Sequence, residues 1–243
     1  MPKQSLFLYG KNSVFERLKN NPRTIRKIFL KSDFSLPEAE KLIKINKITA
    51  ERLSQDKLWR IKPVSCGGII AEVESFQYSY FEDLIAKPKA KNLSLIFLDR
   101  IFDPQNLGAI IRTAACFGSF GIIIPKHKAC EVTDTVLHVA SGGENYVPVA
   151  KVSNLTNTLL KAKEAGWWAV GTTTAGGTDI SKAKLSYPLC LILGSEGKGM
   201  RYGLSKHIDL ALNIPMPGAK LSFNVTAACA IFCYEINRQK GGF

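Results

Sequence analysis

The chain has 243 residues, with 33 Lys+Arg against 20 Asp+Glu, a formal net charge of +13, 46% hydrophobic residues and 11 prolines. That apolar share excludes a disordered chain, and the longest apolar runs, such as Leu189–Leu193, fall far short of the roughly 20 residues a membrane helix needs. The expectation is a soluble, basic, cytoplasmic globular protein with an anionic partner, nucleic acid first among the candidates.

The six cysteines (Cys66, Cys116, Cys130, Cys190, Cys229 and Cys233) include no CxxC pair and no zinc spacing, so they read as small apolar residues of a reduced core, with no metal. His127, His138 and His207 form neither a HExxH pattern nor a Ser-His-Asp arrangement. Hydrolase chemistry has no support.

In chain order, Gly10-Lys11-Asn12 breaks the first apolar stretch, which is too short for a secretory signal. Ser13–Leu18 reads as a short helix, Ile25–Lys31 as a strand, Pro37–Ile45 as a helix opened by proline, and Ile69–Val73 as a strand after Cys66-Gly67-Gly68. From Lys3 to Lys31 eight basic residues face one acid, Glu16, with Phe7, Tyr9 and Phe15 interleaved. That density fits phosphate contacts, and the aromatics fit base stacking or, for Phe15 above all, the core. The Lys/Pro run 86–92 reads as a linker between a first domain, 1–85, and a second, 93–243. Residues 1–92 carry 18 Lys+Arg and 10 Asp+Glu, the remainder 15 and 10.

The second domain alternates continuous apolar runs (Leu93–Leu98, Gly121–Ile124, Trp167–Thr172, Leu189–Leu193, Ile208–Ile214) with helical patterns (Leu107–Phe117, Thr133–Val139, Leu155–Ala165, and about Asn224 to Arg238). Runs of that kind are strands covered on both faces, so the class is α/β with a mainly parallel sheet. Ligands of such sheets bind beyond the carboxyl ends of the strands. Three loops fall there: 98–108, 193–200 and 214–224. The Gly194–Gly199 turn is not a Walker loop, because only two residues separate Gly194 from Gly197-Lys198 and no Ser or Thr follows. No strand leads into GxGxxG. Polar residues converge on all three loops.

Asp103-Pro104-Gln105-Asn106-Leu107-Gly108-Ala109-Ile110-Ile111-Arg112-Thr113-Ala114 resembles the first motif of the SpoU (TrmH-type) RNA ribose 2′-O-methyltransferases. Leu193 to Met200 resembles their second motif, and Ile214-Pro215-Met216 with Ser222-Phe223-Asn224-Val225-Thr226-Ala227-Ala228 their third. Three ordered motifs make a far more specific signal than one glycine turn. The start, Tyr9-Gly10-Lys11-Asn12-Ser13-Val14-Phe15-Glu16-Arg17-Leu18, is similar to the substrate-binding domain of the longer members. Phe223 stands where Leu is frequent, Thr226 where Ser is, and Asn12 where His is.

The resemblance implies a carboxyl-terminal SPOUT domain with a trefoil knot, an exception among folds, behind a small L30e-like RNA-binding domain. It also implies a homodimer and S-adenosyl-L-methionine as cofactor. Its implied polar catalytic set is Asn106, Arg112, Glu196, Ser222 and Asn224. The implied cofactor pocket is Thr172, Leu193, Gly194, Gly197, Ile214, Met216, Leu221 and Phe223. Read without the motifs, Asn106 is a helix N-cap, Ser222 and Asn224 cap the last helix, and Glu196 is a turn carboxylate. The expected reaction is 2′-O-methylation of a guanosine of large-subunit ribosomal RNA. A transfer RNA guanosine, a resistance-type adenosine of ribosomal RNA, and a non-catalytic RNA-binding protein of the same fold are the alternatives.

Overall fold

The computed structural model of the protein describes residues 6–86, 93–195, 197–219 and 221–241. Glu196 and residues 87–92 of the expected linker lie outside the described residues.

The first unit comprises β1 (Leu6–Tyr9), α1 (Lys11–Asn20), β2 (Ile25–Lys31), α2 (Pro37–Ile45), β3 (Ala50–Leu53), α3 (Gln55–Ile61) and β4 (Ile69–Val73). Its sheet runs β1-β4-β2-β3, antiparallel except where β3 joins β2. Pro37 opens α2, its fixed φ suiting a first helical position that needs no N–H donor. Helix α1 begins two residues earlier than the apolar pattern indicates, at Lys11, because Gly10 turns the chain at φ 94°.

After α4 (Phe81–Ile85) come β5 (Ser94–Leu98), α5 (Pro104–Phe117), β6 (Phe120–Pro125), α6 (Asp134–Ala140), β7 (Val149–Val152), α7 (Leu155–Glu164) and β8 (Trp168–Thr172). The chain ends with β9 (Thr178–Asp179), β10 (Leu189–Leu193), α8 (Tyr202–Ser205), β11 (Leu210–Asn213) and α9 (Val225–Gln239). Seven parallel strands lie in the order β7-β6-β5-β10-β8-β11-β9. Every residue of β5, β6 and β10 is buried, which explains why Ser94 is the one polar side chain in the three strands. Strand β10 inserts between β5 and β8, bringing the carboxyl ends of distant segments side by side.

The two units share an apolar cluster that includes Leu8, Val14 and Ile28 with Ile110, Val136 and Ala140. Residues just before the expected linker pack on the second sheet. Ser79 N donates to Val149 O at 2.9 Å, Tyr78 Oη accepts from Val132 N at 2.9 Å, and Phe81 is buried beside Leu95 and Phe97. Tyr9 corrects the base-stacking expectation. It is buried, and His138 of α6 stacks on its ring with centroids 4.1 Å apart. Among the described residues no helix is long and apolar enough to cross a membrane.

Candidate functional site

A cleft of about 810 Å³ opens at the carboxyl ends of β8, β10 and β11. All eight expected cofactor residues line it: Thr172, Leu193, Gly194, Gly197, Ile214, Met216, Leu221 and Phe223. Ser222 joins them, as does the stretch Thr173–Gly176, which the sequence motifs do not mark. The wall is mostly apolar side chain and glycine-rich backbone, with Thr172, Thr173 and Thr174 among the lining residues. Gly194 lies so close to the returning turn that a Cβ there would overlap the Gly199 carbonyl carbon and the Met200 nitrogen. Only hydrogen fits at that crossing, so backbone itself forms this part of the wall. A cleft of this size and chemistry suits a ligand with an apolar ring and a polar chain.

Three residues missed by the motif reading hold the turn in place. Asp99, immediately after β5, is fully buried, and its Oδ2 accepts from Arg201 N at 2.8 Å. Arg201 Nε lies 2.9 Å from Asp99 Oδ1, an ion pair without hydrogen-bond alignment. Arg100, at φ 61°, donates from Nη2 to Gly199 O at 2.8 Å. A buried carboxylate held this way anchors the backbone of residues 199–201 against the end of β5. The available signal was Asp99-Arg100, a polar pair directly after an apolar strand.

The polar set is divided. Asp103 Oδ1 accepts from Gln105 N at 2.8 Å and caps α5, with Pro104 in the first turn. Asn106 is therefore not the cap, as the motif-free reading has it; it sits half-buried in the first turn, past Pro104 and Gln105. Arg112 is exposed further along α5, and its guanidinium makes no hydrogen bond or ion pair with the described residues. Asn224 does cap its helix: its Oδ1 accepts from Thr226 N at 2.8 Å and from Thr226 Oγ1 at 2.7 Å. Its amide nitrogen is the group left to offer a ligand. Asn106, Arg112 and Asn224 do not line the cleft, whereas Ser222 does. Among the described residues no cluster of His, Cys, Asp or Glu could hold a metal ion.

Comparison with known proteins matches residues 93–234 to the SpoU rRNA methylase family and residues 7–79 to the substrate-binding domain of RNA 2′-O ribose methyltransferases. A Bacillus subtilis protein assigned to the TrmH family of tRNA/rRNA methyltransferases, YacO, is 35% identical, covering 99% of this chain and 98% of its own. The 23S rRNA (guanosine-2′-O-)-methyltransferase RlmB of Pseudomonas putida is 35% identical, covering 96% of each chain. The crystal structure of the SpoU methyltransferase AviRb from Streptomyces viridochromogenes, in complex with AdoMet, shares the fold. Its TM-score is 0.82 at 23% identity, covering 98% of this chain and 92% of that one.

Proposed function

The chain belongs to the SpoU rRNA methylase family, and from that premise we propose that it methylates a ribose 2′-oxygen of RNA, the acceptor being a guanosine of large-subunit ribosomal RNA. The single observation that carries this reading is the convergence of the second and third motif loops on one cleft, beside a helix that presents Arg112. S-adenosylmethionine, when bound, supplies an electrophilic methyl group on a sulfonium. The residues present fit it. Leu193, Ile214, Met216, Leu221 and Phe223 would flank the adenine, while the backbone around Gly194 would approach the ligand closely, since no side chain intervenes.

The RNA side of the reaction falls to Arg112. A ribose hydroxyl is a very weak acid, so negative charge building on its oxygen needs a preorganised donor. A guanidinium is not a usable base, so Arg112 stabilises the developing charge while the hydroxyl proton passes to an oxygen of the adjacent RNA phosphate. Its planar fork can hold an adjacent phosphate through two N–H groups and direct another at the 2′-oxygen. Asn106 and the Asn224 amide orient the nucleotide, Ser222 bridges the cleft to that side, and Glu196 belongs to the same polar set by its motif.

The same reading includes a trefoil knot drawn through the 193–200 and 214–224 loops, supported by the backbone crossing at Gly194. It also includes a cytoplasmic homodimer, supported by exposed Tyr234 on α9 beside Phe117 of α5. The amino-terminal unit, rich in Lys and Arg, grips the RNA backbone. Labelled methyl transfer to unmodified ribosomal RNA and to transfer RNA tests the substrate. Label should enter ribosomal RNA; transfer to transfer RNA alone would overturn the choice.

A further inference from the structure

Arg112 does not stand on a free helix. The 3₁₀ turn Gly143–Asn145 is wedged between α5 and α1 of the amino-terminal unit. On the α5 side, a Cβ on Gly143 would lie 3.1 Å from Arg112 Cα and 3.2 Å from Ala115 Cβ. Backbone therefore packs on backbone at the residue whose guanidinium is exposed. On the α1 side, Gly142 at φ 95° comes so near that a Cβ there would overlap Glu16 Cβ.

Polar contacts fasten the wedge. Arg17 Nη2 donates to Glu144 Oε1 at 3.1 Å, and Arg17 Nη1 donates to Thr24 Oγ1 at 3.2 Å. Asn20 Nδ2 donates to Tyr146 Oη at 2.9 Å, and Asn21 Nδ2 donates to Asn145 Oδ1 at 3.0 Å. The Arg17 and Glu144 side chains are 9% and 0% exposed. Burial pushes the Glu144 carboxyl above the usual range, with Arg17 pulling it back. A carboxylate taken so far out of water is a costly way to tether a recruiting module, since an apolar pair often serves stability as well or better. What the pair adds is a fixed distance and angle between α1 and the turn.

We propose that Arg17 and Glu144 are positioning residues: by locking residues 142–146 between α1 and α5 they hold Arg112 in its working place. The amino-terminal unit thereby governs the rate of methyl transfer as well as the affinity for RNA. This rests on the reading of Arg112 as the group that stabilises the ribose oxygen. Misplacing such a group by about 1 Å costs on the order of 10²-fold in rate.

The test uses full-length wild type, Arg17→Ala, Arg17→Lys, Glu144→Gln, the Arg17→Ala/Glu144→Gln double variant, and Gly143→Ala. Single-turnover methyl transfer is followed across RNA concentration. Rates are divided by the S-adenosylmethionine sites counted by calorimetry, so that loss of folded protein does not imitate loss of rate. Arg17→Ala and Glu144→Gln should lose tenfold or more in the saturated rate at unchanged cofactor affinity, and Arg17→Lys should recover part of it. The double variant should be no worse than the worse single one, because the pair acts as a unit. Gly143→Ala keeps the pair and presses on the Arg112 backbone, so it should lower the saturated rate even if the charge variants fold poorly. Wild-type saturated rates in these variants, with only the RNA requirement raised, would overturn the proposal. A wild-type protein that binds cofactor but methylates no RNA would instead overturn the functional reading beneath it.

Discussion

The cleft and helix α5 both start from the carboxyl ends of neighbouring strands, β10 and β5, yet they are built on opposite terms. In the cleft, apolar side chains, a backbone crossing at Gly194 and the buried Asp99 anchor enclose a defined volume within one chain. On α5, Arg112 is exposed and unpaired among the described residues, and only its backbone is held, by Gly143. The fold finishes the first region; whatever binds finishes the second. Cofactor affinity and RNA chemistry should therefore respond to different substitutions.

Arg112→Lys gives the largest separation. It keeps a positive charge but loses the planar fork, so the transfer rate should fall by about 10²-fold or more, as when one preorganised oxyanion donor is lost. Calorimetry should find S-adenosylmethionine affinity unchanged. Near-normal turnover would remove Arg112 from the reaction. Gly194→Ala attacks the other region. Its added methyl collides with the 199–200 backbone, an overpacking cost of about 1–3 kcal/mol that should weaken cofactor binding roughly tenfold. Unchanged cofactor affinity would show that the crossing does not shape the site.

A smaller effect is expected at Arg23, exposed in the turn before β2. Arg23→Ala should weaken RNA binding at low salt and flatten the salt dependence by about 1 in slope if it touches one phosphate. Affinity measured across a salt series decides this, and identical slopes would exclude the contact. The smallest effect on activity, none, is expected at the far end of α9. Lys240 lies over the Phe120 and Tyr187 rings, and burial lowers its pKa to about 8 from an ordinary 10.5. The unfolded chain then binds more protons between those values, so this group's contribution to stability rises as pH climbs from about 8 to 10.5. Urea midpoints for wild type and Lys240→Met should differ most below that window and converge through it as the wild type rises, the variant showing the flatter course. Parallel curves would show that the ammonium is not desolvated.

Much of the second sheet was legible in sequence because strands buried on both faces must be largely apolar, as β10 is throughout and β5 is after Ser94. Strand β3, Ala-Glu-Arg-Leu, was not legible, since all four residues are exposed or half-exposed and only pairing with β2 keeps it extended. Two-residue β9 has no period to read. The cleft residues from Leu193 to Gly197 and from Ile214 to Phe223 were legible through the second and third motifs, whereas Thr173–Gly176 lie outside all three. The Asp99–Arg201 anchor and the Arg17–Glu144 pair were not, because they join residues 102 and 127 positions apart through packing that no local pattern records. Tyr9 misled for the same reason: an aromatic among lysines looks the same in sequence whether it faces RNA or His138.

The central claim, that the protein places a methyl group on a ribose oxygen and not on a base, has one direct test. Unmodified large-subunit ribosomal RNA is incubated with the full-length protein and methyl-labelled S-adenosylmethionine, then digested to nucleosides and separated. The account predicts that the label runs as 2′-O-methylguanosine. Label on a base, or an RNA left unlabelled by protein that binds the cofactor, would contradict it.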